Sequence, residues 1–141
     1  MADRMTKVQR SRNMSKIKNR DTSIELMVRR YLYHHGYRYR KNVISLPGKP
    51  DIVLSKYQTA IFVNGCFFHH HYGCKLAYIP KSNTQFWERK FERNTDKDMK
   101  NEKELKELGY KVIVVWECEL KECFEYRMKR LIEEIEDQEY E

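Results

Sequence analysis

The run Tyr110-Lys111-Val112-Ile113-Val114-Val115-Trp116 is the most apolar stretch of the chain. Four of its residues in a row are β-branched, which suits a strand better than a helix. The hydrophobicity is continuous rather than alternating, so the run predicts a strand at the centre of a sheet, covered on both faces. The flanks supply the cover. Upstream, Ser82 to Leu108 is a strongly charged segment with Phe86, Trp87, Phe91, Leu105 and Leu108 as apolar anchors of a long helix, which Gly109 ends. Downstream, Phe124, Met128, Leu131, Ile132 and Ile135 recur at helical spacing and leave an acidic outer face.

Working back towards the N-terminus, Thr59 to Asn64 and Asp51 to Leu54 read as short strands, and Leu46-Pro47-Gly48-Lys49-Pro50 as the turn before them. Tyr37 to Val43 alternates enough for a third strand. Thr22-Ser23-Ile24-Glu25 is a capping-box pattern, and Ile24, Met27, Val28, Tyr31 and Leu32 then fall on one helical face, with Gly36 as the stop. Gly65 breaks the strand before it, and Cys66 to Pro80 reads as an irregular loop. The order is helix, three strands, long helix, strand, helix: an α/β fold with a mixed central sheet flanked by helices. The expected organisation is a basic arm, residues 1–20, followed by a single domain over residues 21–141.

The chain has 141 residues, 28 of them Lys or Arg and 21 Asp or Glu, for a formal charge of +7. The charge is uneven. Residues 1–20 carry +6, residues 21–116 carry +7, and residues 117–141 carry −6. A basic body of this kind attracts a polyanion, and nucleic acid is the commonest one. The arm mixes Arg10, Arg12, Lys16 and other cations with Met14 and suits a short helix or an extended segment that orders on DNA. No stretch is apolar enough to span a membrane, and the first thirty residues have no signal-peptide pattern. Four cysteines without a secretion signal point to a reducing, cytoplasmic compartment, where they serve as metal ligands or buried thiols.

Two clusters carry chemistry. The run Cys66-Phe67-Phe68-His69-His70-His71-Tyr72-Gly73-Cys74 places thiol and imidazole donors at spacings that suit Zn²⁺, with Cys118 as a distant fourth ligand. Four protein ligands leave no open position, so such a zinc would be structural. A second set uses Cys123 in place of His71, because Cys118 and Cys123 form C-x4-C. Asp51 opens a strand after Pro50, where a carboxylate can hold Mg²⁺ against a phosphate or simply end a turn. Three successive histidines cannot all face one way, so a metal-bound His71 leaves His69 free to act as a base or to stand as a surface polar group. Phe67 and Phe68 suit packing under the loop, which composition favours, or a wedge between base pairs.

Seven stretches, in order along the chain, resemble the very-short-patch mismatch repair endonucleases. They are Arg10-Ser11-Arg12-Asn13-Met14, Asp21-Thr22-Ser23-Ile24-Glu25, Ser45-Leu46-Pro47-Gly48-Lys49-Pro50-Asp51, Gly65-Cys66-Phe67-Phe68-His69-His70-His71, Phe86-Trp87, Leu108-Gly109-Tyr110 and Val115-Trp116-Glu117-Cys118. The resemblance implies a restriction-endonuclease-like fold and a strand-specific nick in double-stranded DNA beside a T:G mismatch, the lesion left when 5-methylcytosine deaminates. It implies a functional link to a cytosine-5 DNA methyltransferase and a monomeric enzyme. By matching position, Asp51 is expected to bind catalytic Mg²⁺, His69 to activate water and Glu25 to support the site. Cys66, His71, Cys74 and Cys118 are expected to hold the structural zinc. Phe67 and Phe68 are the expected wedge, and Met14 in the arm, with Arg10, Arg12 and Lys16, the expected contact in the other groove.

The sequence departs from the family pattern at three positions. Asn64 stands where a second active-site histidine is expected, Phe68 replaces a tryptophan, and Gly73 lengthens the gap before Cys74 by one residue. Two rival readings follow. One is a restriction-type nuclease of the same fold that cuts both strands; the other is a zinc-stabilised DNA-binding module without chemistry.

Overall fold

The computed structural model describes residues 22–137. The basic arm, with Arg10, Arg12, Met14 and Lys16, lies outside the described residues.

Helix α1, Ser23–His34, starts where the capping pattern places it: the Glu25 amide donates to the Thr22 hydroxyl at 3.4 Å. It ends at Gly36, whose φ of +89° lets the Gly36 amide reach the Tyr33 carbonyl at 3.1 Å and the Tyr37 amide reach Leu32 at 3.0 Å. The long helix α2, Thr84–Glu107, ends the same way at Gly109, with the Gly109 amide on Lys106 and the Tyr110 amide on Leu105. Both pairs of bonds satisfy carbonyls that the last helical turn leaves open, and both need a left-handed residue that a side chain would resist.

The sheet has strands β1 (Arg40–Lys41), β2 (Ile52–Leu54), β3 (Thr59–Asn64) and β4 (Lys111–Trp116), in the order β1-β2-β3-β4. The first two pairings are antiparallel, and β3 runs parallel to β4 with α2 as the crossover. Helices α3 (Glu117–Glu122) and α4 (Phe124–Glu136) follow β4. The mixed sheet flanked by helices is therefore as expected.

Three expectations need correction. β4 is an edge strand, not a central one. Its apolar run reports the layers above and below it: Ile113 and Val115 pack with Val28, Leu32, Met128, Leu131 and Ile135, while Val112 packs with Ala60 and Leu105 on the other side. Hydrophobicity reads burial perpendicular to the sheet, and strand order runs along the hydrogen bonds, so the first does not decide the second. The strand expected over Tyr37 to Val43 shrinks to Arg40–Lys41, because Asn42 turns left-handed at φ 49° and the partner strand is only three residues long. Tyr37 and Tyr39 still pack on the core. Of the anchors expected on α2, Phe91 and Leu105 are buried, but Phe86 and Leu108 are exposed; Phe86 sits at the rim of an aromatic group, and Leu108 follows the last helical turn. No helix among the described residues is long and apolar enough to cross a membrane.

The open edge of β4 is closed by one buried cation. Arg127 on α4 donates to the Val114 carbonyl at 3.2 Å, and its guanidinium pairs with Glu119 at 3.2 Å and Glu134 at 2.8 Å. A free strand edge otherwise offers unpaired carbonyls to another chain. Replacing Arg127 with Met keeps the stem's packing but leaves two carboxylates and a carbonyl without their partner. Arg127→Met is expected to cost about 2–3 kcal/mol in urea unfolding, below the full cost of breaking a buried pair because both acids are partly exposed. A change under about 0.5 kcal/mol would show that the edge does not depend on it.

Candidate active site and metal centre

The parallel register of β3 with β4 pairs Asn64 with Trp116, so the segments that leave the two strands start side by side. The Cys66 amide donates to Glu117 Oε1 at 3.2 Å, and the Cys118 amide donates to Cys66 Sγ at 3.4 Å. Cys118, 52 residues from Cys66 in sequence, reaches the loop through this pairing.

The donor atoms of Cys66, His71, Cys74 and Cys118 all lie within 4.8 Å of one another. His71 Nδ1 is 3.6 Å from Cys66 Sγ and 3.5 Å from Cys118 Sγ. A tetrahedral zinc with ordinary Zn–S and Zn–N bonds has an S···N edge of about 3.6 Å, so the donors fit that ion in number, type and spacing. Burial pushes the Cys66 thiol up to about 12 and raises Cys118 as well; a bound cation reverses that balance by pairing with the thiolates. The His71 ring lies flat on Trp116, with centroids 4.0 Å apart. Cys123 is exposed at the junction of α3 and α4, outside the cluster. The structure thus gathers His71, and not Cys123, with the other three donors.

The three histidines diverge as their adjacency demands. His70 takes a left-handed φ of 46° and stacks on Phe91, while its neighbours turn to opposite tasks. His69 Nδ1 lies 2.7 Å from Asp98 Oδ2 on α2. A carboxylate only accepts, so Nδ1 is the nitrogen that donates, and in the neutral ring the lone pair lies on Nε2. Sequence reading missed Asp98. The available signal was periodicity: Asn94 and Asp98 share the helix face of Phe91 and Leu105, where polar residues need a reason. Asn94 has one too, since its amide donates to the Phe68 carbonyl at 2.8 Å and fixes the loop on the helix.

Asp51 Oδ2 accepts the Val63 amide at 2.7 Å, which ties the start of β2 to the end of β3 and leaves Oδ1 for a ligand. Burial pushes the Asp51 carboxyl up to about 7; the Val63 hydrogen bond opposes the rise, the Glu25 charge adds to it, and His69 and Arg29 oppose it. Asp51, Glu25 and His69 thus share one electrostatic neighbourhood. Glu25 and Arg29 are each only 3% exposed, one helical turn apart on α1, and the sequence reading passed over Arg29. Two buried carboxylates whose charges resist each other suit a divalent cation. Asn64 is buried at the end of β3, where its amide offers no titrating group.

Phe67 lies in an aromatic nest. Its ring is 5.0 Å from Phe68, 5.1 Å from Tyr78, 5.3 Å from Trp87 and 5.1 Å from Phe91. Packing, the reading that composition favours, holds for the free protein, and both phenyl rings remain partly exposed.

The Asp51 shift has a sign that can be tested. Without metal the folded protein binds this proton up to about pH 7, whereas an unfolded carboxyl releases it near pH 4. Stability is therefore fully present below about pH 4 and falls as pH rises through about 7, by up to about 1.4 kcal/mol per pH unit in that window. Asp51→Asn should remove this fall in chelator-treated protein, measured by urea unfolding from pH 4 to 8. Parallel pH profiles for the two proteins would show that Asp51 titrates normally.

The model for the family described as "DNA mismatch endonuclease Vsr" matches residues 2–75. The chain is 51% identical to the type II nicking enzyme V.NmeAIP of Neisseria meningitidis serogroup A over 97% of its own length and 99% of the relative's. It is 40% identical to the DNA mismatch endonuclease Vsr of Escherichia coli, strain K12, over 97% of its length and 87% of that protein. It is 37% identical to the type II nicking enzyme V.XorIIP of Xanthomonas oryzae over 94% and 98%. The four-donor cluster, the His69–Asp98 pair and the aromatic nest are thus found in a chain that belongs to the Vsr DNA mismatch endonuclease family.

Proposed function

We propose that the protein is a Mg²⁺-dependent DNA endonuclease of restriction-endonuclease-like fold. It nicks one strand of double-stranded DNA beside a T:G mismatch left by deaminated 5-methylcytosine and so opens very-short-patch repair. The observation that carries this reading is His69 held by Asp98 in the same neighbourhood as Asp51 and Glu25. A solvated histidine needs no such partner, and a binding module has no use for an oriented base beside a cation site.

Asp51, one oxygen of which is held by the Val63 amide, would hold the cation, and Glu25 would supply the second negative charge. When bound, Mg²⁺ polarises a phosphate oxygen and stabilises the leaving 3′-oxygen. His69 takes the proton of the attacking water at Nε2, and Asp98 keeps Nδ1 protonated and steadies the imidazolium that forms. Phe67 and Phe68 press between base pairs at the mismatch, where unstacking costs less than in paired DNA. The arm, through Arg10, Arg12 and Lys16, contacts phosphates, and Met14 enters the opposite groove. Cys66, His71, Cys74 and Cys118 would hold a zinc ion, which would pin the loop that carries His69 and the wedge. The enzyme acts as a cytoplasmic monomer of one domain over residues 21–141 behind the arm, alongside a cytosine-5 DNA methyltransferase.

Duplexes with one T:G pair and a label on either strand, incubated with Mg²⁺, test the reading. Wild-type protein is expected to cut only the thymine-bearing strand; Asp51→Ala should abolish the nick yet still bind, and Asp98→Asn should slow it by about 10²-fold or more. Cleavage of both strands would favour a restriction-type nuclease, and binding without any cut a non-catalytic module.

The zinc assignment has its own measurement. Native mass spectrometry of protein purified without chelator should find one zinc per chain. Cys118→Ser should release it and lower activity, whereas Cys123→Ser should keep both. Wild-type protein free of zinc would sink the structural site.

A further inference from the structure

Helix α2 presents a one-sided strip of positive charge that neither the metal centre nor the histidine pair uses. At about 100° per residue, Lys90, Lys97, Arg93, Lys100 and Arg89 fall in that order within a sector about 100° wide. Asn94 and Asp98, which hold the loop and His69, occupy the adjoining sector. Arg89, Arg93, Lys97 and Lys100 are exposed and Lys90 is half-buried. The nearby acids Glu88, Glu92 and Asp96 fall outside the sector, and none of the five cations is in an ion pair among the described residues.

This pattern sets like charges side by side along the helix. Arg89, Arg93 and Lys97 follow one another at i, i+4, and Lys90 to Arg93 and Lys97 to Lys100 are i, i+3 pairs. Like charges at these spacings cost a helix rather than support it. Glu92, Asp96 and Glu104 lie three or four residues from Arg89, Arg93 and Lys100, but among the described residues none of them pairs with these cations, whereas Glu102 and Lys106 farther along the helix pair at 3.6 Å. At its N-terminal end the strip meets exposed Phe86, whose ring contacts Trp87 at 5.3 Å and so joins the aromatic nest of Phe67. From Arg89 to Lys100 it spans about 16 Å at ~1.5 Å per residue, room for several successive phosphates of one strand.

We propose that this flank of α2 is a phosphate-backbone track, on which the duplex lies as it leaves the wedge. The proposal rests on the DNA-nicking reading and adds to it the surface that carries one strand beyond the reacting phosphate. The track neutralises phosphates without reading bases, so it acts on matched and mismatched duplex alike.

Salt dependence of binding tests it, read on a matched duplex and a T:G duplex. The triple variant Arg93→Gln, Lys97→Gln, Lys100→Gln is expected to lower the slope of log K against log salt by about 2.7, or ~0.9 per contact, on both. The double variant Lys103→Gln, Lys106→Gln, on the rest of the same helix, should leave the slope where it was. The single substitutions, ~0.9 each, give the answer even if the triple variant fails to fold, and Lys97→Arg should keep the slope. An unchanged slope in the Arg93, Lys97 and Lys100 variants would overturn the track, as would an equal loss in the control. Wild-type protein that shows this slope but neither prefers nor nicks the T:G duplex would refute the nicking reading and leave the track standing.

Discussion

The parallel pairing of β3 with β4 is the constraint on which the site depends. Only a parallel pair ends with both strand tips on the same side of the sheet. With Asn64 opposite Trp116, the chain that leaves β3 must pass the chain that enters α3. Cys66 and Cys118 meet there, and the Cys118 amide reaches the Cys66 sulfur. A parallel connection also requires a long crossover, and the crossover is α2. The helix that the topology demands is thus the one that carries Asp98 to His69 and Asn94 to Phe68.

Two adjacent constructions divide the labour at this end of the sheet. The four-donor cluster gathers three thiols and an imidazole, whereas Asp51 and Glu25 bring carboxylates near the imidazole that Asp98 orients. Only Phe67, Phe68, His69 and His70 lie between Cys66 and His71, and within that interval the chain must leave the cluster, present two phenyl rings, place His69 and return. The left-handed backbone at His70 and its stack on Phe91 make the return possible. A change in the cluster therefore displaces His69 and the rings together, because they share one short loop.

The electrostatics of the two constructions run the same way. Buried thiols and a buried carboxyl are all held towards their neutral forms by desolvation. Each group is costly as an anion in the bare fold, and each becomes favourable when a cation arrives. The acidic C-terminal segment is divided: Glu117 accepts the Cys66 amide beside the cluster, whereas Glu119 and Glu134 pair with Arg127 at the edge of β4.

Much was legible in the sequence where the physics is local. The Thr22 cap, the stops at Gly36 and Gly109, the strand Thr59–Asn64 and the divergence of three adjacent histidines follow from backbone geometry within a few residues. Composition likewise marked the basic body and the donor-rich loop. The tertiary structure alone decided what depends on residues far apart in the chain. It put the most apolar strand at an edge, because hydrophobicity records the layers above and below a strand and not its neighbours. It chose His71 over Cys123, because the loop after β3 carries His71 beside Cys118 while Cys123 lies exposed past the end of α3. It also brought Asp98 and Arg29 to the site. Each is one charge among many in its helix, and only packing gives it a partner.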